Sequence, residues 1–274
     1  MQRICFCSCK QIFLAVYLLI LFTAVSCNRS PENSRNEVVG ILKGLEAPYD
    51  SKARLQAESQ LRGMGTNAIP SLLLEMESIG MMLETKEPTQ VGKAMWRRSA
   101  LQDALKTLGT NMQPFAEDFI KDLNTGRNPA DAAYALVQMD NQYASNIIEA
   151  LTNQSSSVRL AAAGTISYIA SNSSVRTNSV PLLIMLLTDE SPPVRMVSAR
   201  TLGSLGFVTA KCLPALLLRA ERDPDPMVRI AAVGAISLFG TNAVPMKNEL
   251  QRAAESESNP AVKRAFEIAI DAIR

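Results

Sequence analysis

The side chains that carry most enzyme chemistry are sparse in this sequence. Its 274 residues include no histidine. That excludes Ser-His-Asp and Cys-His nucleophile systems, the HExxH zinc helix and every imidazole ligand. Two carboxylate groups remain, Glu117-Asp118-Asp122 and Asp223-Asp225. General acid–base work needs such groups buried or paired, with a displaced pKa. The plain alternative puts the first group on the exposed face of a helix and makes the second a helix cap. Neither has the spacing of a calcium loop, and the sequence has no P-loop and no GxGxxG. Cys212 is a possible thiol nucleophile or sensor. Beside Leu213 at the start of an apolar stretch, it reads first as a small buried residue. Cys5, Cys7 and Cys9 alternate like a metal site, but they precede an export-type segment and leave with it. No cofactor and no metal are expected, and the reading is of a non-enzyme.

That segment is an address. Met1–Gln11 carries Arg3 and Lys10, and Ile12–Val25 is apolar apart from Thr23. The run matches a signal-peptide core and falls short of the ~20 residues that span a bilayer. Ala24-Val25-Ser26-Cys27 follows, and then polar Asn28-Arg29-Ser30-Pro31. A plain signal peptide with an incidental Cys27, or an uncleaved anchor, fits the same residues. Of the 28 basic residues, removing Arg3 and Lys10 leaves 26, against 26 acidic ones. A near-neutral chain of this kind lacks the basic excess of a nucleic-acid binder, so no nucleic acid is expected as a partner. Residues 28–48 read as a tether, with one short helix over Asn36–Leu45.

From about Pro48 onward the chain repeats itself. The clearest units read SSSVRLAAAGTISYIA, SPPVRMVSARTLGSLG, DPMVRIAAVGAISLFG and NPAVKRAFEIAIDAI. Their anchors are Val158-Arg159, Val194-Arg195, Val228-Arg229 and Val262-Lys263, spaced 36, 34 and 34 residues apart. The first three are followed by a turn and a second helix containing Pro181, Pro214 or Pro245. Ala53-Arg54 pairs with Pro70 and Trp96-Arg97 with Pro114, while Ala130-Asp131 opens a shorter unit lacking both arginine and proline. The turn G-T-N-x-x-P occurs at Gly65, Gly109 and Gly240. Asn128, Ser191, Asp225 and Asn259 each precede a proline, which places a capping oxygen before a residue suited to the first helical position. The second-helix prolines are expected in the first turn, where they break no hydrogen bond. The count is six helix pairs and a final single helix, all-α.

Ala24–Cys27 resembles a bacterial lipobox, with Ala24 where leucine is usual. The resemblance implies cleavage after Ser26, lipid on Cys27 and a membrane-anchored lipoprotein of the cell envelope. The repeats resemble HEAT repeats, particularly the short bacterial HEAT-like type first associated with phycobilisome lyases. That likeness covers roughly Pro48–Arg274 and implies a right-handed α-solenoid, residues 49–274, with second helices on its concave face. In such repeats the Val-Arg arginine bridges to an acidic group or carbonyl near the repeat junction. Asp189 before Arg195 and Asp223 before Arg229 fit, and Asn153 before Arg159 departs. Arg159, Arg195, Arg229, Lys263, Asp189 and Asp223 are therefore expected to be structural. Trp96, at a valine position, is expected in the core.

One pattern points to a binding surface. The resemblance implies that concave positions fall one and four residues after each second-helix proline. These are mixed at the two ends of the chain and apolar in the middle. Val180–Leu187 is apolar all round, which ordinarily means burial on every side. The sharper reading makes Leu182, Met185, Leu186 and Leu218 an exposed groove for a partner helix or acyl chain. The function expected is a non-catalytic protein–protein interaction scaffold, since stacked repeats present extended surfaces. The competing readings are an enzyme of the HEAT-like group, chromophore lyase-like or helical DNA glycosylase-like, and a purely structural subunit of an envelope assembly.

Overall fold

Alanine and glycine set the packing distance in this molecule. In the computed structural model, which describes residues 31–48, 51–85, 87–169, 173–206 and 209–273, the chain is helical and has no strand among those residues. The signal segment 1–26 and Cys27 lie outside them. The helices are α1 (Pro31–Leu45), α2 (Lys52–Met64), α3 (Ile69–Glu84), α4 (Pro88–Leu108), α5 (Ala116–Thr125), α6 (Pro129–Met139) and α7 (Ala144–Ala150). The second half contains α8 (Ser156–Ile166), α9 (Ser173–Leu186), α10 (Pro192–Leu205), α11 (Thr209–Arg222), α12 (Pro226–Ser237), α13 (Lys247–Ser256) and α14 (Pro260–Ala272). They form an α-solenoid of six pairs, α2–α3 to α12–α13, followed by α14.

First helices stack on first helices, closely at α8, α10, α12 and α14, while each second helix packs chiefly against the first helix of the next unit. The close stack needs small residues. A Cβ on Gly203 of α10 would stand 2.8 Å from Ala235 Cα and 2.9 Å from Ala235 Cβ on α12. Beyond the last pair, Lys263, Glu267 and Asp271 of α14 are exposed. Their counterparts one unit earlier, Arg229, Val233 and Ser237, are partly or fully covered. A polar outer row of this kind is what a terminal repeat requires.

The local signals mostly act as read. Gly65, Gly109 and Gly240 open the three G-T-N turns at φ of 53°, 50° and 53°, a region open to glycine. Asp225 Oδ1 accepts from Met227 N at 2.7 Å, and Asn259 Oδ1 accepts from Ala261 N at 3.0 Å. Ser191 and Asn128 make no such cap; Asn128 instead adopts a left-handed conformation at φ 47°. Pro181 and Pro214 lie inside α9 and α11 rather than in a first turn, because both helices begin several residues earlier than their prolines suggest. The expected tether also changes. Its helix begins at Pro31, not Asn36, and buries Val38, Ile41, Leu42 and Leu45 against the solenoid. The polar residues 31–35 are thus the first turn of a packed helix.

Arginines stitch the units together. Arg195 donates from Nε and Nη2 to both oxygens of Asp223, each at 2.8 Å, and from Nη1 to the Asp189 carbonyl at 2.8 Å. Arg159 repeats this with Asp189 ahead, at 2.7 and 2.9 Å, and the Asn153 carbonyl behind, at 2.9 Å. Arg229 repeats it with Glu257 ahead and the Asp223 carbonyl behind. The carboxylate therefore meets the arginine of the preceding unit, while the following arginine takes its main-chain oxygen. Arg195 and Arg229 thus meet Asp189 and Asp223 through the carbonyl, one of the two expected modes, and the carboxylates serve the arginines one unit earlier. It also explains Asn153, whose carbonyl is all that Arg159 needs. Lys263 corrects the expectation for it: the side chain is exposed and makes no ion pair among the described residues, since no further unit there supplies a carboxylate. In the first half, Arg54 donates to the Leu45 carbonyl at 2.5 Å and pairs with Asp103 at 2.9 Å.

Candidate functional site

Exposed large apolar side chains occur on both layers: Leu55, Met95, Trp96, Met227 and Ile268 on first helices, and Met81, Met185 and Leu218 on second helices. Met185 on α9 and Leu218 on α11 each lie four residues after the proline of their helix. They are 49% and 41% exposed. Leu182 is half-buried, and Leu186 is 3% exposed, within the core. Leu186 is therefore removed from the expected groove: an all-round apolar helix turns one side to its neighbours, and Leu186 with Leu183 and Leu187 fills that side. What remains open or half-open is Leu182 and Met185 on α9 and Ala215 and Leu218 on α11.

At the equivalent position of α5 stands Asp118, exposed, with Asp122 one turn further on. Asp122 is half-buried, and its carboxyl is pushed up from 3.8 to about 6. Loss of solvent is the main cause, with Asp118 and Glu77 of α3 raising it further and Arg127 and Lys121 opposing them. The folded state thus holds a proton on Asp122 more tightly than the unfolded chain does. Stability falls as pH rises from about 4 to about 6, and the penalty is complete above that. Asp122→Asn is expected to stabilise the fold at pH 7.5 by on the order of 1 kcal/mol, after discounting for residual solvent. The gain should vanish near pH 3.5 in thermal melts. A loss of stability at pH 7.5 would contradict it.

The other sequence candidates resolve differently. Cys212 is buried and its thiol is pushed up by burial, a structural environment and not that of a nucleophile. Asp223 is a junction ion-pair partner and not a cap, whereas Asp225 is the cap. Trp96 is 71% exposed, against the core placement expected for it. The reason is a register shift of one. Arg98, not Arg97, reaches forward to Asp131 at 2.8 Å, and Arg97 turns to Glu75 of α3 at 2.6 Å. Glu257 was missed, although it lies 34 residues after Asp223, in step with the repeat. An open cleft of about 700 Å³ near α11 and α13 is lined by charges of both signs, among them Arg222, Arg252, Glu221 and Glu249. No group of three or more metal-ligating side chains occurs among the described residues, and no single helix there is long and apolar enough to cross a membrane.

Residues 144–237 and again 179–271 match the sequence profile of the family described as HEAT repeats. The match covers the second half of the chain, where the Val-Arg units are most regular. No curated protein matches the chain. Among solved structures, a designed armadillo repeat protein in complex with the peptide (KR)4 is 18% identical, with a TM-score of 0.45, covering 73% of this chain and 99% of that one. An engineered protein is 18% identical at TM-score 0.46, over 86% of this chain and 68% of that one. Human deoxyhypusine hydroxylase is 19% identical at TM-score 0.40, over 88% and 96%. At these identities the likeness is one of fold.

Proposed function

We propose that this protein is a non-catalytic interaction scaffold of the cell envelope that docks another protein on its second-helix face. The observation that carries the reading is the recurrence of a large exposed apolar side chain, Met185 and then Leu218, at the same position of successive second helices. Single exposed apolar residues are ordinary, but a row of them in register is a contact surface. A helical solenoid is an architecture typical of interaction scaffolds. The sequence has no histidine, and burial pushes the Cys212 thiol up. We further propose that Cys27 carries lipid and holds the solenoid at a membrane. The apolar run Ile12–Val25 and the Ala24–Cys27 sequence support this part of the reading.

The test compares wild type with a Met185→Glu, Leu218→Glu variant and a milder Met185→Ser, Leu218→Ser variant in crosslinking pull-downs from native envelope membranes. All three are checked by circular dichroism. A partner recovered by wild type and lost from both folded variants is the expected result. Equal recovery by all three proteins overturns the reading.

A further inference from the structure

At 16 and 21 residues, α3 and α4 are the longest helices among the described residues. Pro88 opens α4 ten residues before Arg98, whereas α8, α10 and α12 open three residues before Arg159, Arg195 and Arg229. The extra residues are two turns, about 10 Å of helix. They run past both neighbours. Asp103 of α4 pairs with Arg54 in the first turn of α2 at 2.9 Å, and Arg98 pairs with Asp131 in the first turn of α6 at 2.8 Å. Those two helices thus begin beside residues 98–103 of α4, and residues 88–96 continue past them alongside α3. The end of α3 keeps step. A Cβ on Gly80 would collide with the Asn128 side chain at the start of α6, so residues 81–84 project as well. Arg97 ties the hairpin together, donating to buried Glu75 at 2.6 Å and from Nη1 to Met82 Sδ at 3.2 Å. Met81 and Trp96 are the chain neighbours of that touching pair. This projecting hairpin carries Met81, Met95 and Trp96, which are 59%, 65% and 71% exposed. The charges around them, Glu84, Glu87 and Lys93, are exposed and of both signs. A cluster of large apolar side chains on a projecting, well-packed tip is a contact surface.

We propose that the tip of the α3–α4 hairpin is a second membrane contact, which seats Met81, Met95 and Trp96 in the interface of the lipid bilayer that holds Cys27. The inference rests on the anchor reading above and goes beyond it by naming the part of the folded domain that touches lipid. The length of the anchoring chain makes the bilayer the occupant. α1 begins at Pro31, four residues on from Cys27. Four residues reach at most about 14 Å, so the anchor holds the start of α1 against the membrane and not at the end of a long tether. The 15 residues of α1 extend about 22 Å from there. Its far end is fixed on the side from which the hairpin projects, because Arg54 takes the Leu45 carbonyl and also pairs with Asp103 of α4. With α1 laid along the membrane surface, the hairpin meets the same surface beyond it. Tryptophan suits that place, with its ring at the hydrocarbon boundary and its N–H among the headgroups. The contact needs little affinity of its own, since the anchor already supplies lipid at a high effective concentration. Charges of both signs around the patch give it no dependence on anionic lipid.

Trp96 is the only tryptophan in the sequence, so its fluorescence reads the site directly. The full chain, purified from its native membranes with the N-terminus it carries there, is reconstituted into phosphatidylcholine vesicles with and without bromine on the acyl chains. Flotation reports the anchor, and Trp96 emission reports the tip. The expected result is flotation together with a blue-shifted emission that the brominated lipid quenches and that aqueous iodide quenches poorly. Adding anionic phosphatidylglycerol should change neither. A Met81→Ser/Met95→Ser variant, its fold checked by circular dichroism, should still float but lose tip insertion by roughly tenfold or more, read as loss of quenching by the brominated lipid. Protein that floats while Trp96 stays open to iodide overturns this inference and leaves the anchor standing. If native envelope proteins then shield Trp96, the occupant of the tip is a protein and not lipid. Quenching unchanged in the serine variant also overturns it. Protein that does not float, with Trp96 in water, overturns both readings.

Discussion

Asp223→Ala is expected to destabilise the solenoid by about 3–5 kcal/mol, the loss found when one partner of a buried ion pair is removed. Asp223 is buried, and so is most of Arg195, which gives it two hydrogen bonds. Asp223 also accepts from the Asp225 N–H at 3.0 Å and lies 3.7 Å from Arg219. Truncation leaves the guanidinium of Arg195 uncompensated at the junction between two units, where nearest-neighbour coupling holds a repeat array together. Denaturant titration should show the loss. Arg264→Ala, which removes an exposed pair with Glu267, should change stability by less than about 0.5 kcal/mol. A loss under about 1 kcal/mol for Asp223→Ala would contradict a structural role for the ladder. The same ladder sets the acid limit. Burial works against ionised Asp189 and Glu257, but the arginine and main-chain hydrogen bonds they accept outweigh it and hold both carboxyls below their ordinary range. Their contribution is complete at neutral pH and is lost as pH falls below about 4, through their lowered folded values.

Gly203→Ala is the second large effect, and its sign is the informative part. Alanine in a helix interior normally gains up to about 1 kcal/mol over glycine. At position 203 the new methyl would meet the Ala235 backbone at 2.8 Å and Leu238 Cδ1 at 3.2 Å, forcing α10 and α12 apart. Overpacking of this kind costs about 1–3 kcal/mol, so the substitution should destabilise. Gly234, an exposed glycine of α12 with nothing within 4 Å of its Cβ position, provides the contrast. Gly234→Ala should stabilise by about 0.5–1 kcal/mol. Thermal melts of the two variants moving in the same direction would mean that the first-helix layer is looser than its backbone spacing implies.

The repeat architecture was legible because its period lies in residues with a fixed physical task. The Val-Arg anchors recur every 34 to 36 residues, and G-T-N turns mark the helix ends. Those signals mark every unit but the third, which Ala130-Asp131 opens without either. What escaped is what depends on a neighbour. Nothing in Arg97-Arg98 says which of two adjacent arginines reaches Asp131, so the register slipped by one and Trp96 was placed in the core. Pro31 with Glu32 is a helix-start signal that would have brought α1 forward to its real beginning. Val180–Leu187 is apolar on all sides, so composition cannot separate exposed Met185 from buried Leu186. Only the stacking of α9 on its neighbours does that. The displaced carboxyl of Asp122 likewise responds to Glu77 of α3 and to Arg127, which lie outside its own helix.

The most direct measurement is site-specific photocrosslinking in native membranes. A photoreactive residue is placed in turn at positions 185 and 218 on the second-helix face, and at positions 227 and 268, where Met227 and Ile268 are exposed on first helices. Discrete adducts of the same mass from 185 and 218, with none from 227 and 268, are the expected result. Adducts from 227 or 268 with none from 185 and 218 would contradict a docking surface on the second helices.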